Sequence, residues 1–384
     1  MCTTEPAFEA ISAYLPIVKN RIKTNKMLAG IGLLDFSKVM GKNSEPQNEC
    51  LLKGVKHDVP CTYFFYSKHL ADLNTALSGC LPQDLVDNLT KTGSYNGILD
   101  YGWMRNMVYL LGIASGADAI QFFDLDTRPL KEYQNILETH AELLTNSDIV
   151  AASGNYFGPK PVVASMFKTK KAQIEFLMSL KKSTGFDTFN PPLVGGAMAV
   201  RADFFEKCPL PLLPETTMSD DLLISYLSER FKKKTQQSNE LVEHNHAFNP
   251  EPRDFENPNV YTWIQNYFKR LRRIVALMDI FSELTIKNSI STGGVCKVPT
   301  YGIDDSQLLE RMNTTVNNFV TELIKIAESE GNDTLVKLIG ADESVSATIC
   351  DEIYQGVNKY FELLHHWPTI IAEVKKRGPS WVSP

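Results

Sequence analysis

The sequence predicts an α/β fold, with a mixed sheet flanked by helices and a helical C-terminal extension. Three observations predict it. Short apolar or β-branched runs alternate with stretches of helical periodicity from about residue 27 to residue 243, as in α/β sheets with parallel members. From Asn259 onward, apolar residues recur at three- and four-residue spacing with no strand-like run between them. A chain of 384 residues with 43% hydrophobic content can also bury a sizeable core, as one large domain or two smaller ones.

In chain order, residues 7–22 have helical periodicity. Met27–Phe36 reads as a first strand, with Gly30 and Gly32 inside it. Residues 41–60 are polar and read as loop, and Thr62–Tyr66 is a β-branched and aromatic strand. Helices follow at 68–79, 83–90 and Gly102–Gly112. Gly116-Ala117-Asp118 then turns the chain into a buried strand, Ala119–Phe123, which ends in Asp124-Leu125-Asp126-Thr127. A helix over 130–145, a strand at 148–152 and a helix over 161–182 come next. Pro191-Pro192 lies in a loop before Val194–Arg201, a strand that carries Gly195-Gly196. Ser219 can cap a helix that opens with Asp220 and Asp221. Residues 239–243 read as a late strand leading into His244-Asn245-His246. The remaining helices are expected at 306–327, 333–339 and 344–374, with Pro368 kinking or ending the last. Thr292-Gly293-Gly294 and Pro299–Gly302 mark a boundary, giving an α/β domain over 1–290 and a helical extension over 291–384.

Composition excludes several classes. A formal charge of −6 and 22% charged residues argue against a nucleic-acid partner, which needs a basic face. No apolar run approaches the ~18 residues of a membrane span, and Ile274–Ile280 is broken by Asp279. The start, Met1-Cys2-Thr3-Thr4-Glu5-Pro6, lacks the basic and apolar regions of a secretory signal. Seven scattered cysteines without CxxC spacing fit reduced thiols, so a cytoplasmic location is expected. Phosphate-loop, dinucleotide, nucleophile-elbow and H-E-x-x-H patterns are absent, which removes support for ATPase, dehydrogenase, hydrolase and zincin readings.

The chemistry concentrates in a few places. Asp124 and Asp126 end an apolar strand, where ligands of open α/β sheets bind. Two carboxylates one residue apart can share a Mn²⁺ or Mg²⁺, which takes oxygen ligands and would neutralise a diphosphate leaving group. An acidic turn exposed to solvent spells the same tripeptide. Gly195 and Gly196 inside a strand let a ligand approach the backbone. Asp220 and Asp221 either complement a helix dipole or orient an acceptor hydroxyl. His246 either completes a metal shell or is solvated in a polar loop. Arg105, with Asn106 beside it, and Arg253 are candidates to meet a diphosphate, with surface solvation as the alternative. Lys269, Arg270, Arg272 and Arg273 form a basic cluster that reads as a solvated stripe or a phosphate site. His365 and His366 read as packing or surface residues.

The order Arg105-Asn106, Asp124-x-Asp126, Gly195-Gly196 with Arg201, Ser219-Asp220-Asp221 and His246 resembles the nucleotide-sugar glycosyltransferases of the GT-A fold. Pro192–Arg201 is similar to the matching strand of mannosylglycerate synthases and their relatives. His246-Ala247-Phe248 is similar to the late metal-ligand segment of the polypeptide N-acetylgalactosaminyltransferases. The resemblance covers about residues 60–255 and implies a GT-A, Rossmann-like mixed sheet. It also implies Asp124, Asp126 and His246 as metal ligands, with Arg105, Asp124, Gly195, Gly196 and Arg253 near the nucleotide sugar. Asp220 and Asp221 would serve the acceptor, a small molecule or a glycan, with GDP-mannose or a UDP-hexose as donor and retention of configuration. A sugar-nucleotide nucleotidyltransferase also needs acidic metal ligands, although the sequence has no Gly-rich basic loop after its first strand. A non-catalytic effector whose helical tail binds a partner is a third reading. Residues 305–384 either cover the site or make a homo-oligomer contact.

Overall fold

The first sheet is built from short strands near the start of the chain. In this computed structural model, β1 (Cys2–Thr3), β2 (Ile31–Asp35) and β3 (Thr62–Phe65) lie side by side in the order β1-β2-β3, all parallel. The structure describes residues 1–3, 5–24, 29–90, 94–95, 98–99, 101–125, 127–130, 135–157, 166–184, 193, 195–210, 221, 224–225, 227–228, 231–244, 255–256, 258–283, 305–342 and 348–384. Helix α1 (Phe8–Thr24) packs beside this sheet, as do α2 (Glu45–Val55), α3 (Ser67–Leu77) and α4 (Gln83–Thr90). The second of these corrects the loop expected over 41–60: Pro46 near the start favours helix initiation, and burial of Asn48, Leu52 and Val55 stabilises it.

A two-stranded hairpin, β4 (Ser94–Tyr95) and β5 (Ile98–Leu99), precedes α5 (Tyr101–Ser115). The second sheet has the order β6-β9-β8-β10-β7, built from β6 (Ala119–Phe123), β7 (Thr127–Pro129), β8 (Ile149–Phe157), β9 (Ala197–Arg201) and β10 (Lys234–His244). Strand β9 is antiparallel to β6 and β8, and β10 is parallel to β8 and antiparallel to β7, so the sheet is mixed. Strands β6 and β7 are adjacent in sequence yet stand at opposite ends of the strand order. The turn between them therefore crosses the end of the sheet, which must curl to let it do so. A register shift between Gln237 and Leu241 bends β10 and carries its far half toward β7. Gly154 on β8 permits the close approach, because a Cβ there would sit 2.8 Å from the Glu240 carbonyl oxygen.

Helix α6 (Ile136–Leu144) covers the second sheet, while α7 (Lys170–Thr184) leaves it and α8 (Ala202–Phe205) follows β9. The C-terminal helices are α9 (Pro258–Glu283), α10 (Asp305–Ser329), α11 (Asp333–Gly340) and α12 (Thr348–Trp381). Apolar packing crosses the boundary placed near 290. Helices α7, α9, α10 and α11 share one core through Phe176, Phe268, Phe319 and Leu335. The last helix instead joins the main α/β core, through Tyr360, Trp367 and Ile370 against Trp103, Met107 and Phe205. Pro368 neither ends nor breaks it; the only non-helical backbone inside α12 is at Gly378, with φ 64°.

Within the basic cluster of α9, Arg272 is fully buried. It makes a two-pronged ion pair with Asp342 and hydrogen bonds to Asn313 and Asn317, so it belongs to the packing of the helices. The last described residues are docked on the first sheet. Val382 is buried and its carbonyl accepts the Phe64 amide on the outer edge of β3 at 2.7 Å. Trp381 meets Phe65 and His69 edge-on. Among the described residues, no helix is long and apolar enough to cross a membrane.

Candidate functional site

Local sequence explains how the strand end at Asp124 is built. The antiparallel ladder of β6 and β9 ends with Phe123 opposite Ala197, so Asp124 and Gly196 are the next residues on the two strands. Gly195 and Gly196 form a turn just before β9; the strand expected over Val194–Arg201 begins at Ala197, because the paired glycines favour a turn over a ladder. Helix α5 delivers Arg105 to the same place. Gly112 lets that helix lie close on β6, since a Cβ there would run into the Ile120 side chain.

Arg105 is nearly buried and is held from three sides. Its guanidinium stands over the Phe122 ring, 4.5 Å from the centroid. One nitrogen donates to the Gly195 carbonyl at 3.2 Å and lies 3.9 Å from the Asp124 carboxylate. Burial leaves the cation little water, so its position is set by these partners. Asp124 remains 40% exposed, and its carboxylate can therefore meet a solute. Arg105, Asp124 and Gly195, which lie far apart in sequence, are thus brought together. Asn106 is not part of this group: its amide makes two 2.8 Å hydrogen bonds with the Leu210 backbone and is fully buried.

The turn after Asp124 is fixed by its own chain. The Asp124 carbonyl accepts the Thr127 amide at 3.1 Å and the Thr127 hydroxyl at 2.7 Å. Arg128 donates to the Leu125 and Thr127 carbonyls. Strand β7 then pairs with the end of β10, with Thr127 opposite His244. The end of β10 therefore lies directly beside the turn. Beneath both lies a small apolar cluster of Tyr14, Ile17, Phe123, Ile136, Ala197 and Val242.

Asp221 has helical backbone, and its carbonyl accepts the Ser225 hydroxyl at 2.9 Å. Asp126, Asp220, His246 and Arg253 lie outside the described residues. Among the described residues, no group of three or more His, Cys, Asp or Glu side chains is placed to hold a metal ion. Arg201 pairs through two bonds with Asp203 on the next turn of chain. His365 and His366 lie ring against ring on α12, with His365 exposed.

Two residues of the site region carry no functional signal in the sequence. Tyr14 sits in an amphipathic helix and reads as core. Thr127 could be found only as a hydroxyl residue closing an Asp-initiated turn. A third polar group lies deeper. His140 on α6 is buried between Gln121 of β6, at 2.7 Å, and Ser238 in the β10 bulge, at 3.0 Å. Burial pushes its pKa down to about 4, so the imidazole is neutral at ordinary pH.

No protein-family description matches the chain, and no curated protein matches it. Among solved structures, the chain is similar to mannosyl-3-phosphoglycerate synthase from Rubrobacter xylanophilus, at a TM-score of 0.40 and 13% identity over 80% of this chain and 78% of that one. A likeness of that size carries no argument about function.

Proposed function

We propose that this chain is a metal-dependent glycosyltransferase that moves a hexose from GDP-mannose or a UDP-hexose to a hydroxyl of a small molecule or glycan, with retention of configuration. The observation that supports the reading is the convergence of Arg105, Asp124 and Gly195 at the carboxyl end of β6. Ligands of α/β sheets bind at such strand ends. A buried guanidinium beside an accessible carboxylate suits an anionic ligand and a cation together.

Asp124 offers carboxylate oxygens on a side chain that is 40% exposed, the donor chemistry that Mn²⁺ or Mg²⁺ takes. Asp124, Asp126 and His246 would hold the ion. When bound, such a cation neutralises the charge that develops on a departing diphosphate. The chain's own residues supply the rest. Arg105, fixed by Phe122 and Gly195, presents a positive charge that needs no reorganisation as the diphosphate departs. The glycine turn allows a ligand to lie against its backbone, and Arg253 would meet the nucleotide side. Asp220 and Asp221 would orient the acceptor hydroxyl.

A thermal-shift panel of nucleotide sugars tests this reading, run with Mn²⁺ and with a chelator. A ligand that binds only the folded chain raises its midpoint. The expected result is a rise with GDP-mannose or a UDP-hexose that needs the cation. No shift with any nucleotide sugar, with or without Mn²⁺, would overturn it.

A further inference from the structure

Tyr14 grips the strand-end turn from a helix more than a hundred residues earlier in the chain. Its ring stacks on Phe123, the residue before the turn, with centroids 3.9 Å apart and planes inclined by 18°. Its hydroxyl lies 2.8 Å from that of Thr127, the residue that closes the turn. A carbonyl only accepts, so when the Thr127 hydroxyl donates to the Asp124 carbonyl, the Tyr14 hydroxyl is the donor to Thr127. A directed chain results, from Tyr14 to Thr127 to the backbone of Asp124. Thr127 is 0% and Tyr14 1% exposed, so water has no access to replace a lost link.

We propose that Tyr14 is a positioning residue for a divalent-cation site at this turn, a proposal that rests on the reading of Asp124 and Asp126 as cation ligands. The ring fixes where the turn begins and the hydroxyl fixes where it ends. The Asp124 backbone between those points is thereby held in one arrangement before a cation arrives. Groups that orient a metal ligand in this way commonly change affinity without touching the metal. Arg128 closes the same turn from its far side through the Leu125 and Thr127 carbonyls, so the Tyr14 link acts on a segment that is otherwise already tied.

The test is Mn²⁺ uptake, read from the loss of the free-ion electron paramagnetic resonance signal, for Mn²⁺ alone and with UDP or GDP added. Tyr14→Phe keeps the ring on Phe123 and removes only the hydroxyl. Thr127→Val breaks the same link from the other side, and Thr127→Ser preserves it. Tyr14→Phe and Thr127→Val are each expected to weaken Mn²⁺ binding by about tenfold or more. Thr127→Ser should bind as the natural chain does, and the double variant should be no weaker than Thr127→Val alone. A pair that only stabilised the fold would lower the thermal midpoint of Tyr14→Phe and leave the Mn²⁺ affinity of the folded variant unchanged. Circular dichroism identifies any variant that fails to fold, and the remaining variants then carry the comparison. A folded Tyr14→Phe with unchanged affinity, in a chain that binds Mn²⁺, would overturn the positioning role alone. A natural chain that takes up no Mn²⁺ under any of the three conditions would overturn the cation reading together with it.

Discussion

The Arg105 guanidinium lies 3.9 Å from the Asp124 carboxylate while it donates to the Gly195 carbonyl at 3.2 Å. One cation thus joins a helix, a strand end and a glycine turn. Arg105→Lys keeps the charge but loses the planar guanidinium that stands over Phe122 while one of its nitrogens meets both partners. The expected result is a fall in nucleotide-sugar turnover of about 10²-fold, with a destabilisation of about 2 kcal/mol from the unpaired Gly195 carbonyl. Steady-state kinetics and chemical denaturation measure the two effects separately. Unchanged turnover in a folded Arg105→Lys chain would remove this residue from the site.

His140 makes stability depend on pH. Its folded pKa, about 4, lies below the value of about 6.5 in an unfolded chain. Between those values the unfolded state binds the proton first, so protonation favours unfolding. The contribution is complete above about pH 6.5, declines as pH falls toward 4, and amounts to at most about 3 kcal/mol. His140→Gln should show a flatter dependence of the urea midpoint between pH 4 and 6.5 than the natural chain. Parallel profiles would mean that the buried imidazole does not govern this window.

The docked chain end shields the outer edge of β3. Deleting residues 378–384 removes the Val382 carbonyl from the Phe64 amide and the Trp381 ring from Phe65 and His69. An unpaired strand edge templates further pairing, so the shortened chain should aggregate more readily. A loss of stability of about 3 kcal/mol is expected, with faster hydrogen exchange at Phe64. Light scattering and exchange measured by mass spectrometry check both. Unaltered exchange at Phe64 would show that the terminus does not cover this edge.

Most of the architecture was legible because patterning alone specifies it. Ala119–Phe123 is a mainly apolar run bounded by a glycine turn and an acidic turn, and it forms a strand over the same residues. The helices of the C-terminal half follow their periodicity closely. What escaped reading depends on partners distant in sequence. The helix over Glu45–Val55 is polar outside and has weak periodicity, so only its packing on the first sheet reveals it. The short strand Thr127–Pro129 exists because β10 bends to meet it. Pro368 passes through a helix whose neighbouring turns are secured by Trp367 and Ile370 in the core. At the site, Arg105, Asp124 and Gly195 were suggested by residue type and order. Tyr14 was not, because its role depends on a contact with Thr127 that spacing cannot show.

The central claim is that two acidic side chains at the end of β6 hold a cation that a sugar nucleotide requires. Release of nucleoside diphosphate from GDP-mannose and UDP-hexoses, followed with and without Mn²⁺, compares the natural chain with Asp126→Ala. The account predicts metal-dependent release by the natural chain and a loss of at least about 10²-fold in the variant, with its thermal midpoint preserved. Release that is equal in the two chains, or that is indifferent to the cation, would contradict it.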